Sequence, residues 1–176
     1  MAFSEPQKIV DEFGIREGLT VVDLGAGTGF YTIAAAKAVG PHGKVYAVDI
    51  QQELLSRIKT IAHAEKLNNI EVMHGDVEHP GGTRLADRVA DVSIAANVLF
   101  QVEKREGFAK ETFRILKSGA RLLLVDWMDS FAGMGPQPEF VVTAQTAKEL
   151  FLKNGFSFVS EMAAGDHHWG LIFRKS

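Results

Sequence analysis

The feature that most constrains this chain is a run of three glycines at alternating positions, directly after a short apolar stretch. Residues 20–30 read TVVDLGAGTGF, with glycines at positions 25, 27 and 29. The apolar stretch is typical of a buried strand, and the glycines indicate an abrupt turn. The small apolar residues that follow predict a helix packed closely on a sheet. This unit places a helix N-terminus and backbone without Cβ atoms beside a ligand.

The glycine spacing separates two kinds of ligand. A dinucleotide fingerprint would need a third glycine at position 30, but that residue is Phe30 and the third glycine is Gly29. Asp23 stands two residues before the first glycine, where a carboxylate can face a cation or a backbone amine. A tight turn without any ligand is the alternative. The pattern acid-x-Gly-x-Gly-x-Gly resembles the signature of class I S-adenosylmethionine (SAM) methyltransferases.

This resemblance implies SAM as the cofactor, a cationic ligand without the pyrophosphate of a dinucleotide. It assigns cofactor binding to the residues of the turn: Asp23, Gly25, Ala26, Gly27 and Gly29.

Length and composition fit one globular domain spanning residues 1–176, with a minimal N-terminal helix. The absence of cysteine excludes disulfides, thiolate metal sites and cysteine nucleophiles. No apolar stretch is long enough to span a membrane, and Met1–Pro6 lack the features of a signal peptide, so we expect a cytoplasmic protein. A formal net charge of −3 does not favour nucleic acid as a general partner.

Helical and extended patterns alternate along the chain and predict an α/β fold with a parallel sheet. Strands are expected at about residues 20–24, 44–49, 70–73, 91–96 and 120–126, with helices at about 51–66, 103–117 and 143–153. The last two extended runs, 156–161 and 168–174, are separated by about six residues and should form an antiparallel hairpin. The resemblance implies a doubly wound, seven-stranded, mostly parallel sheet of order 3-2-1-4-5-7-6.

Acidic and amide residues follow three of these strands. Asp49 ends the second strand, where an acid can accept both hydroxyls of a ribose; it could instead cap the next helix. The resemblance implies that Ile50 packs on the adenine and that Asp76 and the backbone of Val77 form hydrogen bonds with it. Asp76 could instead form an Asx turn. Asn97 follows the fourth strand, where it would lie near the methionine part of SAM or cap a helix.

The residues expected near the acceptor resemble the family less specifically than the cofactor-binding motifs do. The sequence after strand four, Asn97-Val98-Leu99-Phe100, lacks the two prolines that methyltransferases of nucleobase or amide nitrogens often carry there. The segments 115–122 and 168–175 resemble small-molecule members similar to the ubiquinone/menaquinone biosynthesis C-methyltransferases. A small-molecule acceptor is therefore expected. The alternatives are an RNA or protein methyltransferase and a SAM-binding regulatory module without catalysis.

Methyl transfer from a sulfonium needs alignment more than a dedicated catalytic residue. If a base is required, Asp126 at the end of strand five is a candidate by its position. His167 and His168 are further candidates, but histidines at such positions are more often ordinary residues of a surface or hairpin. Trp127 could wall the acceptor site or belong to the core. No metal site is expected, because no ligand spacing is present.

Only about 19 residues precede strand one, fewer than the N-terminal lid of many small-molecule methyltransferases. The acceptor site would then be open, completed by the 127–142 loop or completed by another subunit. Self-association is therefore possible.

Overall fold

A central sheet organises the molecule, whose computed structural model describes residues 5–131 and 133–176. The helices of this part of the chain are α1 (Pro6–Phe13), α2 (Phe30–Val39), α3 (Gln52–Ala64), α4 (Arg105–Ile115) and α5 (Ala144–Lys153). The strands are β1 (Thr20–Leu24), β2 (Lys44–Asp49), β3 (Ile70–His74), β4 (Ala90–Ala96), β5 (Leu116–Trp127), β6 (Phe156–Ala163) and β7 (His168–Lys175). Short 3₁₀ helices cover Leu99–Gln101 and Pro138–Phe140.

The sheet has the order β3-β2-β1-β4-β5-β7-β6. β1 to β5 run parallel, and β7 pairs antiparallel with both β5 and β6. The predicted fold class and strand order are confirmed. Helices cover the faces of the sheet, which is why the central strands are continuous apolar runs: Val21, Val22 and Leu24 of β1 are fully buried.

The small residues of α2 allow the close packing that the sequence predicted. Ala34, Ala35 and Ala36 are buried in one cluster with Val10 and Phe13 of α1. The buried residues of α1, Ile9, Val10 and Phe13, therefore form its contact with α2. α2 packs on β1 and β2, and it begins directly after the last glycine of the turn.

Several predicted boundaries are wrong. The helix expected over 103–117 ends at Ile115, because β5 begins four residues earlier than expected and Leu116 pairs with Ala90 across an irregularity in the ladder. The segment 128–140, expected to be a loop, contains a bridge between Phe131 and Met134 and the second 3₁₀ helix. Among the described residues no helix combines the length and apolarity that crossing a bilayer requires.

Candidate functional site

A cavity of about 450 Å³ opens at the carboxyl ends of β1, β2, β3 and β4. This is where ligands bind in doubly wound sheets, and the volume lies in the range of small-molecule sites. Nine of the ten residues predicted to bind the cofactor line it: Asp23, Gly25, Ala26, Gly27, Asp49, Ile50, Asp76, Val77 and Asn97. Residues from four separate strand ends are thus brought to one cavity.

The glycine turn forms one wall of the cavity. The N–H groups of Gly25 and Ala26 both donate to the carbonyl of Val48, at 2.9 and 3.0 Å, which ties the turn to β2. Gly25 has φ +70°, and a Cβ there would lie 2.5 Å from the Val98 side chain. At Gly27 a Cβ would meet only one atom within 4 Å, so the backbone is open to the cavity.

Gly29 is the predicted cofactor residue that does not line the cavity. Its φ is +85°, and a Cβ there would lie 2.6 Å from Cγ1 of Ile58, a buried residue of α3. The third glycine thus has a packing reason: it lets the start of α2 approach α3.

Asp23 is the buried acid behind the turn. Its side chain is 2% exposed and accepts a hydrogen bond from the Thr32 hydroxyl at 2.6 Å. Burial, opposed by the Thr32 hydrogen bond and reinforced by the negative charge of Asp49, raises the pKa of Asp23 to about 7. A cationic ligand in the cavity would favour the ionised form.

Asp49 holds the turn and the start of α3 together. One carboxylate oxygen accepts from the N–H of Gly27 and the other from the N–H of Gln51, both at 2.9 Å. The alternative that Asp49 caps the next helix is not met, because the N-cap of α3 is Gln51 and no side chain caps that helix. A carboxylate has about four acceptor positions, so these bonds leave capacity for ligand hydroxyls. The next residue, Ile50, is 63% exposed at the cavity.

Asp76 forms the Asx turn that was the alternative to adenine binding. Its carboxylate accepts from the Glu78 N–H at 2.8 Å and contacts Nδ1 of His79 at 2.7 Å. Nε2 of His79 lies 2.7 Å from Nζ of Lys104. Asp76 and Val77 nonetheless line the cavity, and their adenine role stays a prediction.

Asn97 has a left-handed backbone with φ +56° and donates its N–H to the Val125 carbonyl at 2.8 Å. Its side-chain oxygen is buried without a hydrogen-bond partner among the described residues. The 3₁₀ helix that follows has no side-chain cap at its first position, so the geometry does not support the capping alternative.

Asp126, the weak candidate for a base, is 1% exposed and is not among the residues that line the cavity. Its oxygens accept backbone N–H bonds from Leu99 at 2.8 Å, Phe100 at 3.3 Å and Trp127 at 2.8 Å. Burial, only partly offset by these hydrogen bonds, raises the pKa of Asp126 to about 6. The geometry favours a positioning role, in which Asp126 fixes the 3₁₀ helix that carries the wall beyond Asn97.

His167 and His168 do not line the cavity. His167 contacts Asp129 at 2.7 Å and stacks on Phe131, whereas His168 is buried against Trp127. None of the described residues of the 127–142 loop lines the cavity. In the part of the chain that the structure describes, no group of three or more His, Cys, Asp or Glu residues is arranged to hold a metal ion.

Sequence reasoning missed several residues of the cavity wall. Phe30, which is 69% exposed, lines the cavity directly after the glycine turn, and an exposed aromatic residue has no signal in a single sequence. Leu54 of α3 also lines the cavity. Gln101 and Val102 also line the cavity, at the end of a 3₁₀ helix that no local sequence pattern predicts.

Comparison with known proteins places this geometry in a family. A family model described as a methyltransferase domain matches residues 15–173. The chain belongs to the methyltransferase domain family. The predicted resemblance is confirmed, and the enzyme class and the SAM cofactor that it implied are confirmed at the level of the family.

Relatives agree with this assignment. An arsenite methyltransferase of Halobacterium salinarum is 32% identical over 109 residues, 62% of this chain and 27% of the relative. The ubiquinone/menaquinone biosynthesis C-methyltransferase UbiE of Salmonella arizonae is 35% identical over 122 residues, 67% of this chain and 46% of the relative. The chain therefore spans less than half the length of these two methyltransferases.

Solved structures match over nearly the whole chain. A SAM-dependent methyltransferase from Aquifex aeolicus superposes with a TM-score of 0.89 at 29% identity, covering 99% of this chain and 91% of that one. The [4+2]-cyclase SpnF superposes with a TM-score of 0.82 at 14% identity over 97% of this chain and 79% of its own. At that identity the likeness shows the fold alone.

Proposed function

We propose that the protein is a SAM-dependent methyltransferase that transfers a methyl group to a small-molecule acceptor. The observation that carries the proposal is the convergence of Asp23, Asp49 and the glycine turn on one cavity at the carboxyl edge of the sheet. The methyltransferases among the relatives support the same reading.

In this proposal different residues of the cavity bind different parts of the cofactor. Asp49 accepts the ribose hydroxyls, and Ile50 and Val77 flank the adenine with Asp76 at its edge. Asp23 and the open backbone at Gly27 face the cationic methionine end. Asn97 supplies a carbonyl oxygen that lacks a partner in the described structure and so suits the α-ammonium group of SAM.

The chemistry then depends on position. The acceptor must lie in line with the methyl carbon and the sulfonium sulfur, so that the new bond forms as the carbon–sulfur bond breaks and S-adenosylhomocysteine leaves. The described residues of the cavity include carboxylates but no histidine, so an acceptor that needs deprotonation would pass its proton to a carboxylate or to water.

Transfer of a tritiated methyl group tests the activity. The protein is incubated with methyl-labelled SAM and, in separate arms, a small-metabolite extract, total RNA and a protein extract. Label in the metabolite fraction supports the proposal; label confined to RNA or protein identifies the alternative acceptor. Binding of SAM without transfer in every arm would favour a regulatory module. A cytoplasmic location and self-association remain predictions.

A further inference from the structure

A second cavity, of about 590 Å³, lies at the opposite edge of the sheet from the candidate active site. Its wall includes Leu19, just before β1, and Asp91, near the start of β4. Three arginines from distant parts of the chain line it: Arg16 follows α1, Arg121 lies in β5 and Arg174 in β7.

Two of these arginines face each other directly. Arg121 and Arg174 are cross-strand partners in the antiparallel pair of β5 and β7, so their side chains project from the same face of the sheet. Like charges at such positions are destabilising. The side chains of Arg16 and Arg174 have no hydrogen bond or ion pair within residues 5–131 and 133–176. Both residues are exposed, so solvent screens part of the repulsion, but no acidic side chain of the described residues is paired with either of them.

Arg121 is held in place by the end of α1. Its guanidinium donates to the carbonyls of Phe13 and Gly14 at 2.9 and 3.0 Å and stacks 4.3 Å from the Phe13 ring. These bonds use two of its five N–H groups. Burial, and next the positive charges of Arg16 and Arg174, lower the pKa of Arg121.

The acid at this cavity does not balance the three positive charges. Asp91 accepts from the N–H of Thr20 at 2.9 Å and from Nζ of Lys117 at 2.6 Å, so its charge is already paired. The recess therefore presents an excess of positive charge with unused N–H donors. Guanidinium groups match the geometry of phosphate oxygens, and a group with two or more negative charges offsets the repulsion best.

We propose that Arg16, Arg121 and Arg174 form a binding site for a small phosphate-bearing molecule, separate from the candidate active site. A free phosphate compound fits better than an extended polyanion, because the arginines surround a recess and do not follow a stripe along the surface. The site goes beyond the proposed methyl transfer and does not depend on it.

Inorganic pyrophosphate is the probe, titrated calorimetrically at constant ionic strength and pH 7.5. The wild type is expected to bind it, and Arg174→Gln and Arg16→Gln should each weaken binding about tenfold or more, the effect of losing a hydrogen bond to a charged group. The matched control is Arg57→Gln, an exposed arginine of α3 outside both cavities, which should bind pyrophosphate like the wild type.

Thermal melting without ligand gives a second readout. Arg174→Gln should raise the Tm, since it removes the repulsion with Arg121. Pyrophosphate should then raise the Tm of the wild type and of Arg57→Gln more than that of Arg174→Gln. Absence of pyrophosphate binding, an equal loss in Arg57→Gln, or a lower Tm for ligand-free Arg174→Gln would overturn the proposal. So would binding of a single-stranded RNA oligonucleotide or phosphatidylglycerol vesicles by a protein that does not bind pyrophosphate.

Discussion

At the scale of single residues, Asp49 connects the glycine turn, the start of α3 and the cavity. If its carboxylate also holds the ribose, Asp49→Ala should weaken SAM binding by about 1.5–3 kcal/mol, or roughly 10- to 150-fold in Kd. Calorimetric titration measures the change. Glu53→Ala is the control, because Glu53 is an exposed acid at the start of α3 that does not line the cavity. Unchanged affinity in Asp49→Ala would leave the carboxylate only its contacts with Gly27 and Gln51.

Asp23 gives a pH dependence whose sign follows from its burial. Its pKa is raised from 3.8 to about 7 in the folded protein. Between these values the folded state holds a proton that the unfolded state has released, so the free energy of unfolding falls as the pH rises, by up to about 1.4 kcal/mol per pH unit. Asp126, with a pKa of about 6, contributes the same sign at lower pH.

Asp23 therefore contributes most of this slope between pH 6 and 7. In Asp23→Asn the amide can keep the Thr32 hydrogen bond but cannot ionise, so the slope between pH 6 and 7 should become smaller than in the wild type. Urea denaturation at closely spaced pH values measures it. Asp126→Asn, as the control, should lose slope mainly between pH 4 and 6. Parallel curves for Asp23→Asn and the wild type would contradict the assignment.

At the scale of elements, α4 holds the irregular crossover between β3 and β4. Glu111 of α4 is fully buried and accepts from the N–H groups of Gly81 and Thr83, at 2.7 and 3.1 Å, and from the Arg114 guanidinium at 2.8 Å. This crossover begins with Asp76 and Val77, so Glu111 supports the cavity wall from behind.

Glu111→Ala should lower the free energy of unfolding by about 2–4 kcal/mol, because it leaves the two backbone N–H groups without their acceptor, whereas Arg114 keeps its ion pair with Asp87. Glu106→Ala on the same helix removes an exposed carboxylate paired with Lys110 and should change the free energy by less than about 0.5 kcal/mol. Chemical denaturation compares the two. Equal losses would mean that the crossover does not depend on the buried acid.

Local patterns predicted some elements and not others. The sequence predicted α1, α2 and the central strands because each of them is marked by a pattern of apolar residues within its own segment. It missed the 3₁₀ helix at Leu99–Gln101, whose first N–H is held by Asp126, 27 residues later in the chain. Another contact between distant residues explains the early start of β5, where Leu116 pairs with Ala90 in the sheet.

At the scale of the whole molecule, the glycine turn predicted the site best, because its residues are contiguous. Nine predicted residues reach one cavity once β3, β2, β1 and β4 lie side by side, and Gly29 is the exception because its position is set by packing against Ile58. The exposure of Phe30 and the buried, unpartnered oxygen of Asn97 depend on the tertiary arrangement, which no motif in a single sequence carries.

Selectivity between two adenosine cofactors tests the central claim most directly. The turn has Phe30 where a dinucleotide loop would have its third glycine, and a buried acid, Asp23, behind the cavity. Calorimetric titration of the wild-type protein with SAM, S-adenosylhomocysteine and NAD compares them under one condition. We predict Kd values on the order of micromolar for SAM and S-adenosylhomocysteine, near −8 kcal/mol, and no measurable binding of NAD. Tighter binding of NAD than of SAM would contradict the account.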